Sequence, residues 1–123
     1  MAGFEKLRIW QEAHQLMMEI SKIIKTIPNY ERFGVGNQIS RSSSSVADNI
    51  SEGYSSYYYK DKIKGMYTAR KEAGETQNHL RSLESKRYIS KSTCDILISR
   101  YEGLIKGINS WINYVRLKMN STA

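Results

Sequence analysis

The chain is short of cysteine, proline, acid and long apolar runs, and each shortage excludes something. One cysteine, Cys94, cannot close an internal disulfide and offers no set of thiolates for a structural zinc site. One proline, Pro28, and glycines gathered near junctions leave few breakers among long periodic runs, so the chain reads as all-α. No apolar stretch approaches the ~20 residues of a membrane span. The opening MAGFEKLRIW lacks a signal-peptide hydrophobic segment, which makes a cytoplasmic protein the expectation. Acids number 12 against 19 Lys and Arg, and the net charge of +7 favours an acidic partner, nucleic acid foremost. What is present is ordinary: 123 residues, 40% hydrophobic and 25% charged, enough for one domain over 1–123 with a real core.

The most unusual stretch is QISRSSSSVADNISEG, Gln38 to Gly53. At helical spacing Ile39, Ser42/Ser43, Val46, Ile50 and Gly53 form one apolar and very small face. Gln38, Arg41, Ser45, Asn49 and Glu52 form a polar stripe beside it. Serine is poorer than alanine in a helix interior, so four in a row need a packing reason. Thin side chains let neighbouring backbones approach, and each hydroxyl can bond the carbonyl four residues back. The stretch therefore reads as a packed helix rather than a serine linker. If Arg41, Asn49 and Glu52 bond one another, within the bundle or between subunits, Arg41→Ala strands a buried acid and costs several kcal/mol.

Four helices are expected, over about 7–27, 36–53, 57–86 and 91–119. Helix 1 carries two stripes: Ile9, Ala13, Leu16, Ile20, Ile23, Ile27, and beside them Trp10, His14, Met17, Ser21, Ile24. One apolar face suffices inside a monomeric bundle, so the second hints at an oligomer. Pro28 ends helix 1. Phe33 and Val35 are expected to plug one end of the bundle. Helix 2 stops at Gly53, and Ser55 or Ser56 caps helix 3. Helix 3 follows Ile63, Met66, Ala69, Ala73, Leu80 and Leu83. Ser90 caps helix 4, whose seam is Cys94, Leu97, Tyr101, Leu104, Ile108, Trp111, Val115, with Ile98, Ile105 and Ile112 alongside. Residues 120–123 read as frayed. Short connectors between long helices make an antiparallel up-down-up-down four-helix bundle.

Nothing in the pattern amounts to catalysis. Glu75 and His79, four apart, share a helix face, but di-iron bundles need Glu-x-x-His twice with further glutamates, so an exposed hydrogen bond is the better reading. Cys94 on the helix 4 seam is a small hydrophobe. Ser42 to Ser45 lack a glycine-flanked elbow. The expectation is no enzyme, no metal, no cofactor and no small-molecule substrate. The basic residues remain as the candidate site. Lys60, Lys64 and Lys71 fall on one side of helix 3, with Lys62, Arg70 and Arg81 near them and Asp61, Glu72 and Glu75 diluting the field. Tyrosines 57–59 stand beside these lysines, where bases could stack.

The residues also resemble a known family, the four-helix bundle proteins encoded in intervening sequences of bacterial 23S rRNA genes, related to accessory proteins of diversity-generating retroelements. The matching motifs are Leu7-x-x-Trp10-Gln11-x-Ala13-His14, Pro28-x-x-Glu31-x-Phe33-Gly34-Val35, Gln38-Ile39-x-Arg41 and Asn49-Ile50-x-Glu52-Gly53. The resemblance implies a homopentameric barrel of bundles, nucleic-acid binding, in some members a reverse transcriptase as partner, and no enzyme activity. Five copies at +7 each would pool +35, enough for salt-sensitive binding. The sequence departs from the family pattern at Ser56, Tyr58, Gly65 and Glu72. Gly65 stands where Phe is usual, which implies a hole in helix 3 packing. The other reading is a protein-interaction module whose charge serves solubility.

Overall fold

A computed structural model describes residues 1–122, and every regular element in that range is helical. A 3-10 turn over Gly3–Lys6 precedes α1 (Arg8–Ile24). A second 3-10 turn, Asn29–Glu31, leads to α2 (Val35–Ser55), followed by α3 (Tyr59–Ser85) and α4 (Lys91–Thr122). None of these helices is long and apolar enough to cross a membrane.

The helices alternate in direction, as cross-helix partners show. Ser42 of α2 meets Thr76 of α3, while Gly53 meets Gly65. Arg70 of α3 reaches Asn109 of α4, while Arg81 reaches Asp95. Glu12 of α1 pairs with Arg100 of α4, while Ile9 stands at Gly107. In each pair one number rises as the other falls. The core they enclose includes Ala13, Leu16 and Ile20, then Ile39, Val46 and Ile50, then Met66, Ala73 and Leu80, then Cys94, Tyr101 and Ile108. These positions fit the predicted seams; Trp111 alone of the α4 seam is half-buried, while Ile112 from the second stripe is buried.

The helix ends differ from expectation for local reasons. α1 stops at Ile24 rather than 27, because the residue before proline avoids helical geometry. The last turn tightens instead, with Thr26 and Ile27 N–H donating to the carbonyls of Ile23 and Ile24. Gly53 does not end α2. The helix runs on to Ser55, and Ser56 closes it, donating from both N–H and Oγ to the Glu52 carbonyl. Neither Ser55 nor Ser56 therefore caps α3. Its N-cap is Tyr58, which makes no side-chain cap bond. Ser90 does cap α4, its Oγ accepting from Thr93 N–H at 3.0 Å. Asn120 and Ser121 belong to α4; Ala123 lies outside the described residues.

The serine run is packed on two sides. Ser42 and Ser43 are buried, and their hydroxyls donate three residues back, to the carbonyls of Ile39 and Ser40, rather than four. Ser42 Oγ lies 2.8 Å from Thr76 Oγ1 on α3. Ser43 and Ser44 face Met17, Ser21 and Ile24 of α1 across a cleft of about 120 Å³. The second stripe of α1 is half-buried: Met17, Ser21 and Ile24 line this cleft against α2, and Trp10 stacks on His14 of the same helix at 4.8 Å. The open apolar positions are others, Met18, Ile96 and Leu117 among them.

Gly65 is no hole. A Cβ there would stand 2.7 Å from the Gly53 Cα and 3.0 Å from the Asn49 carbonyl oxygen. The two glycines let α2 and α3 touch backbone to backbone.

Tyr101 is fully buried, and its Oη has no hydrogen-bond partner. Burial pushes its phenol well above the usual range, although the Thr76 hydroxyl pulls the other way. That hydroxyl is already engaged at 2.8 Å with Ser42 Oγ and the Glu72 carbonyl. Stranding a buried hydroxyl costs about 1–3 kcal/mol. Tyr101→Phe is therefore expected to stabilise the fold by about 1 kcal/mol in urea denaturation. A loss of that size would show that the hydroxyl is bonded.

At one end, Glu31 ties the first connector to the α3–α4 turn. Its buried carboxylate accepts from Lys86 Nζ and Tyr88 Oη, both at 2.9 Å, and Tyr88 Oη lies 3.1 Å from Tyr30 Oη. Val35 is buried here as expected, but Phe33 is 94% exposed and plugs nothing. The turn itself is tight, with Arg87 at φ 64° and Tyr88 N–H donating to the Leu83 carbonyl. The hydrogen bonds from Lys86 and then Tyr88 hold the Glu31 carboxyl below its ordinary value of 4.5. A depressed acid contributes stability above its unfolded pKa and loses it as pH falls through the folded one. Glu31→Gln should therefore be less stable than the parent at pH 7, and the gap should close on acidification below about 4.5. A gap that stays constant from neutral pH down to pH about 3 would contradict the network.

Candidate nucleic-acid interface

The outward face of α3 lies opposite Ile63, Met66, Ala73 and Leu80, and presents Lys60, Lys64 and Lys71 to solvent. Among the described residues these three side chains make no hydrogen bond and no ion pair. The other three candidates are held. Lys62 Nζ donates to the Tyr54 carbonyl at 2.7 Å and lies 5.7 Å from that ring's centroid. Arg70 Nη1 donates to Asn109 Oδ1 at 2.7 Å, its guanidinium 4.9 Å from the Tyr67 centroid. Arg81 Nη1 pairs with Glu84 at 2.8 Å and Asp95 at 2.9 Å, and these bonds, Glu84 first, raise its pKa. Arg81, still 49% exposed, thus has its charge met by acids on α3 and α4.

Antiparallel packing adds residues that the sequence reading missed. The end of α4 runs beside the start of α3, and Arg116 comes within 5.5 Å of the Tyr67 centroid. Lys106 is exposed on the same helix. One signal was available: α4 contains no acid after Glu102. Aromatic rings gather at this end too. Tyr54 of α2 and Trp111 of α4 lie 6.4 Å apart, and Trp111 and Tyr114 6.5 Å. Lys118 Nζ sits 5.6 Å from the Tyr114 centroid. Tyr57 and Tyr58 pack edge to face at 5.0 Å.

The polar stripe on α2 does not form a network within the chain. Gln38 and Glu52 are exposed, and Asn49 Nδ2 donates to the Ser45 carbonyl at 2.8 Å and to Ser45 Oγ at 3.0 Å. Arg41 turns to α3 instead, 3.9 Å from Glu72 and 3.7 Å from Glu75. Its side chain is 61% exposed, so such pairs are worth at most about 1 kcal/mol. Arg41, Asn49 and Glu52 do not bond one another within the chain, and the buried acid that Arg41→Ala would leave without its cation is Glu72 on α3. Glu72 is buried, and the oxygen facing Arg41 accepts no hydrogen bond; burial, then the neighbouring Glu75, pushes its carboxyl up, against the pull of Arg41. Glu75 and His79 make no hydrogen bond; burial lowers the His79 pKa, with Glu75 opposing. Among the described residues no group of three His, Cys, Asp or Glu is placed to hold a metal. Cys94 is in the core, and burial raises its thiol.

Between α1 and α4 an open groove runs in two parts. One, of about 590 Å³, is lined by Arg8, Ile9, Glu12, Arg100, Gly103 and Gly107. The other, of about 380 Å³, is lined by Glu19, Ile23, Ile96 and Leu97 among others. The Arg100–Glu12 pair, at 2.9 Å, lies beside the first part, and Arg100 also lines the second.

These features define a small basic bundle of four helices with an open lysine face and a groove between α1 and α4. Residues 5–110 match the family described as 23S rRNA-intervening sequence protein, and the chain belongs to that family. It is similar to a crystal structure from Bacteroides thetaiotaomicron, described as a protein with unknown function from the S23 ribosomal protein family. The TM-score is 0.79 at 25% identity, over 85% of this chain and 95% of that one. No curated protein matches the chain.

Proposed function

We propose that the protein is a non-enzymatic oligomer that binds the nucleic-acid backbone. The observation that carries this reading is the run Lys60, Lys64 and Lys71, exposed and without hydrogen bonds or ion pairs, beside an α4 end without acids; Asp61 opposes the first two, and Glu72 stands next to Lys71. Unpaired exposed cations keep their charge available for phosphates, and each phosphate neutralised releases counterions. A five-copy ring, as the family resemblance implies, would pool +35. The α1–α4 groove, with Ile96 exposed in its lining, is surface that a second copy would cover. A fluorescent oligonucleotide titrated with the protein should bind at low salt and lose affinity by about 10³-fold or more between 50 and 200 mM salt. Binding indifferent to salt, or none at low salt, would remove the reading. The groove also favours a second reading, an interaction module in which the lysines serve solubility; there, charge reversal on α3 leaves partner binding intact.

A further inference from the structure

We infer that the nucleic acid taken here is single-stranded, its bases stacking on the tyrosines where α2 gives way to α3 while Lys60 and Lys64 take phosphates. This rests on the backbone-binding reading above and narrows it. Lysines alone would serve a duplex equally well, because phosphate contacts read neither strand number nor sequence. The tyrosines are what a duplex cannot use, since its bases are already stacked on one another.

Tyr57 is 87% exposed and Tyr58 68% exposed, and neither side chain makes a hydrogen bond among the described residues. Tyr58 occupies the N-cap of α3, where Ser, Asp or Asn would bond the first-turn amides. The helix forgoes that bond and shows water a ring. Lys60 and Lys64 follow one turn apart on the open face. A second aromatic run lies at the same end of the bundle: Tyr54, Trp111 and Tyr114 in ring contact, with Lys62 over the first and Lys118 over the last. Tyr114 is 54% exposed. Rings alternating with cations are how non-specific single-strand grooves hold bases and backbone together, and stacking tolerates any base because every base has a π face.

The test compares RNA and DNA single strands of about 20 nucleotides with a duplex of the same length at fixed salt. The single strands should bind at least about tenfold tighter than the duplex. Tyr57→Ala with Tyr58→Ala should weaken single-strand binding about tenfold or more, leave duplex binding and the salt slope unchanged, and be rescued by Phe at both positions. The proposal is overturned if the duplex binds as well as the single strands, or if the alanine pair leaves single-strand affinity unchanged. A tenfold or larger preference for RNA also overturns it, because ring stacking does not read the 2′-hydroxyl. Failure to bind any of the probes at low salt overturns the backbone reading as well, which separates the two failures.

Discussion

Gly65→Val is expected to cost about 3 kcal/mol or more. A Cβ at this position would meet the Gly53 Cα at 2.7 Å and the Asn49 carbonyl and Gly53 nitrogen at 3.0 Å. All three are backbone atoms, so no rotamer change can clear the way. α2 and α3 would have to separate, opening the contacts of Ser42, Val46 and Thr76 along the same seam. Overpacking costs about 1–3 kcal/mol even where side chains can give, and here they cannot. Gly74 is the control. Nothing lies within 4 Å of a Cβ there, so Gly74→Ala should gain up to about 1 kcal/mol from helix propensity. Urea midpoints for the two variants should therefore move in opposite directions. A Gly65 variant as stable as the parent would mean that the helices stand further apart.

The second large effect falls on binding. Replacing Lys60, Lys64 and Lys71 together by Glu removes two units of charge each and takes the chain from +7 to +1. The three side chains are exposed and make no hydrogen bond or ion pair, so the changes at Lys60 and Lys64 should each alter stability by no more than about 0.5 kcal/mol, while Lys71→Glu also removes a cation that favours the Glu72 carboxylate. Loss of three phosphate contacts should flatten the slope of log affinity against log salt by about two on a single strand. Affinity at low salt should fall by about a hundredfold or more. The contrast is Arg81→Glu, which breaks two intrachain ion pairs. It should lower stability while leaving the slope nearly unchanged. Equal slopes for parent and triple variant would move the binding surface elsewhere.

Periodicity made most of the fold legible. The α1 and α4 seams are strong alternations of three and four, α3 carries a thinner stripe, and Ile39, Val46 and Ile50 mark the serine run as helical. What escaped were features that depend on a second helix. Gly53 reads as a stop on its own helix, and Gly65 as a hole only by comparison with the family's Phe; together they form one close contact. Arg41 was placed in a stripe along α2, yet its acids stand on α3, at Glu72 and Glu75. The same limit applies to the candidate site. Spacing put Lys60, Lys64 and Lys71 on one side, but only the fold separates them from Lys62, Arg70 and Arg81, which are held by Tyr54, Asn109 and Asp95. Arg116 and the Tyr54–Trp111–Tyr114 run come from residues far apart in the chain, which no local pattern joins.

The most direct measurement is native mass spectrometry of the protein alone and with a short single-stranded oligonucleotide. The expected particle is five times 14.2 kDa, about 71 kDa, which gains the mass of the oligonucleotide when it is added. A 14.2 kDa species unchanged by the oligonucleotide, or a ring that takes up none, would contradict a pooled-charge nucleic-acid binder.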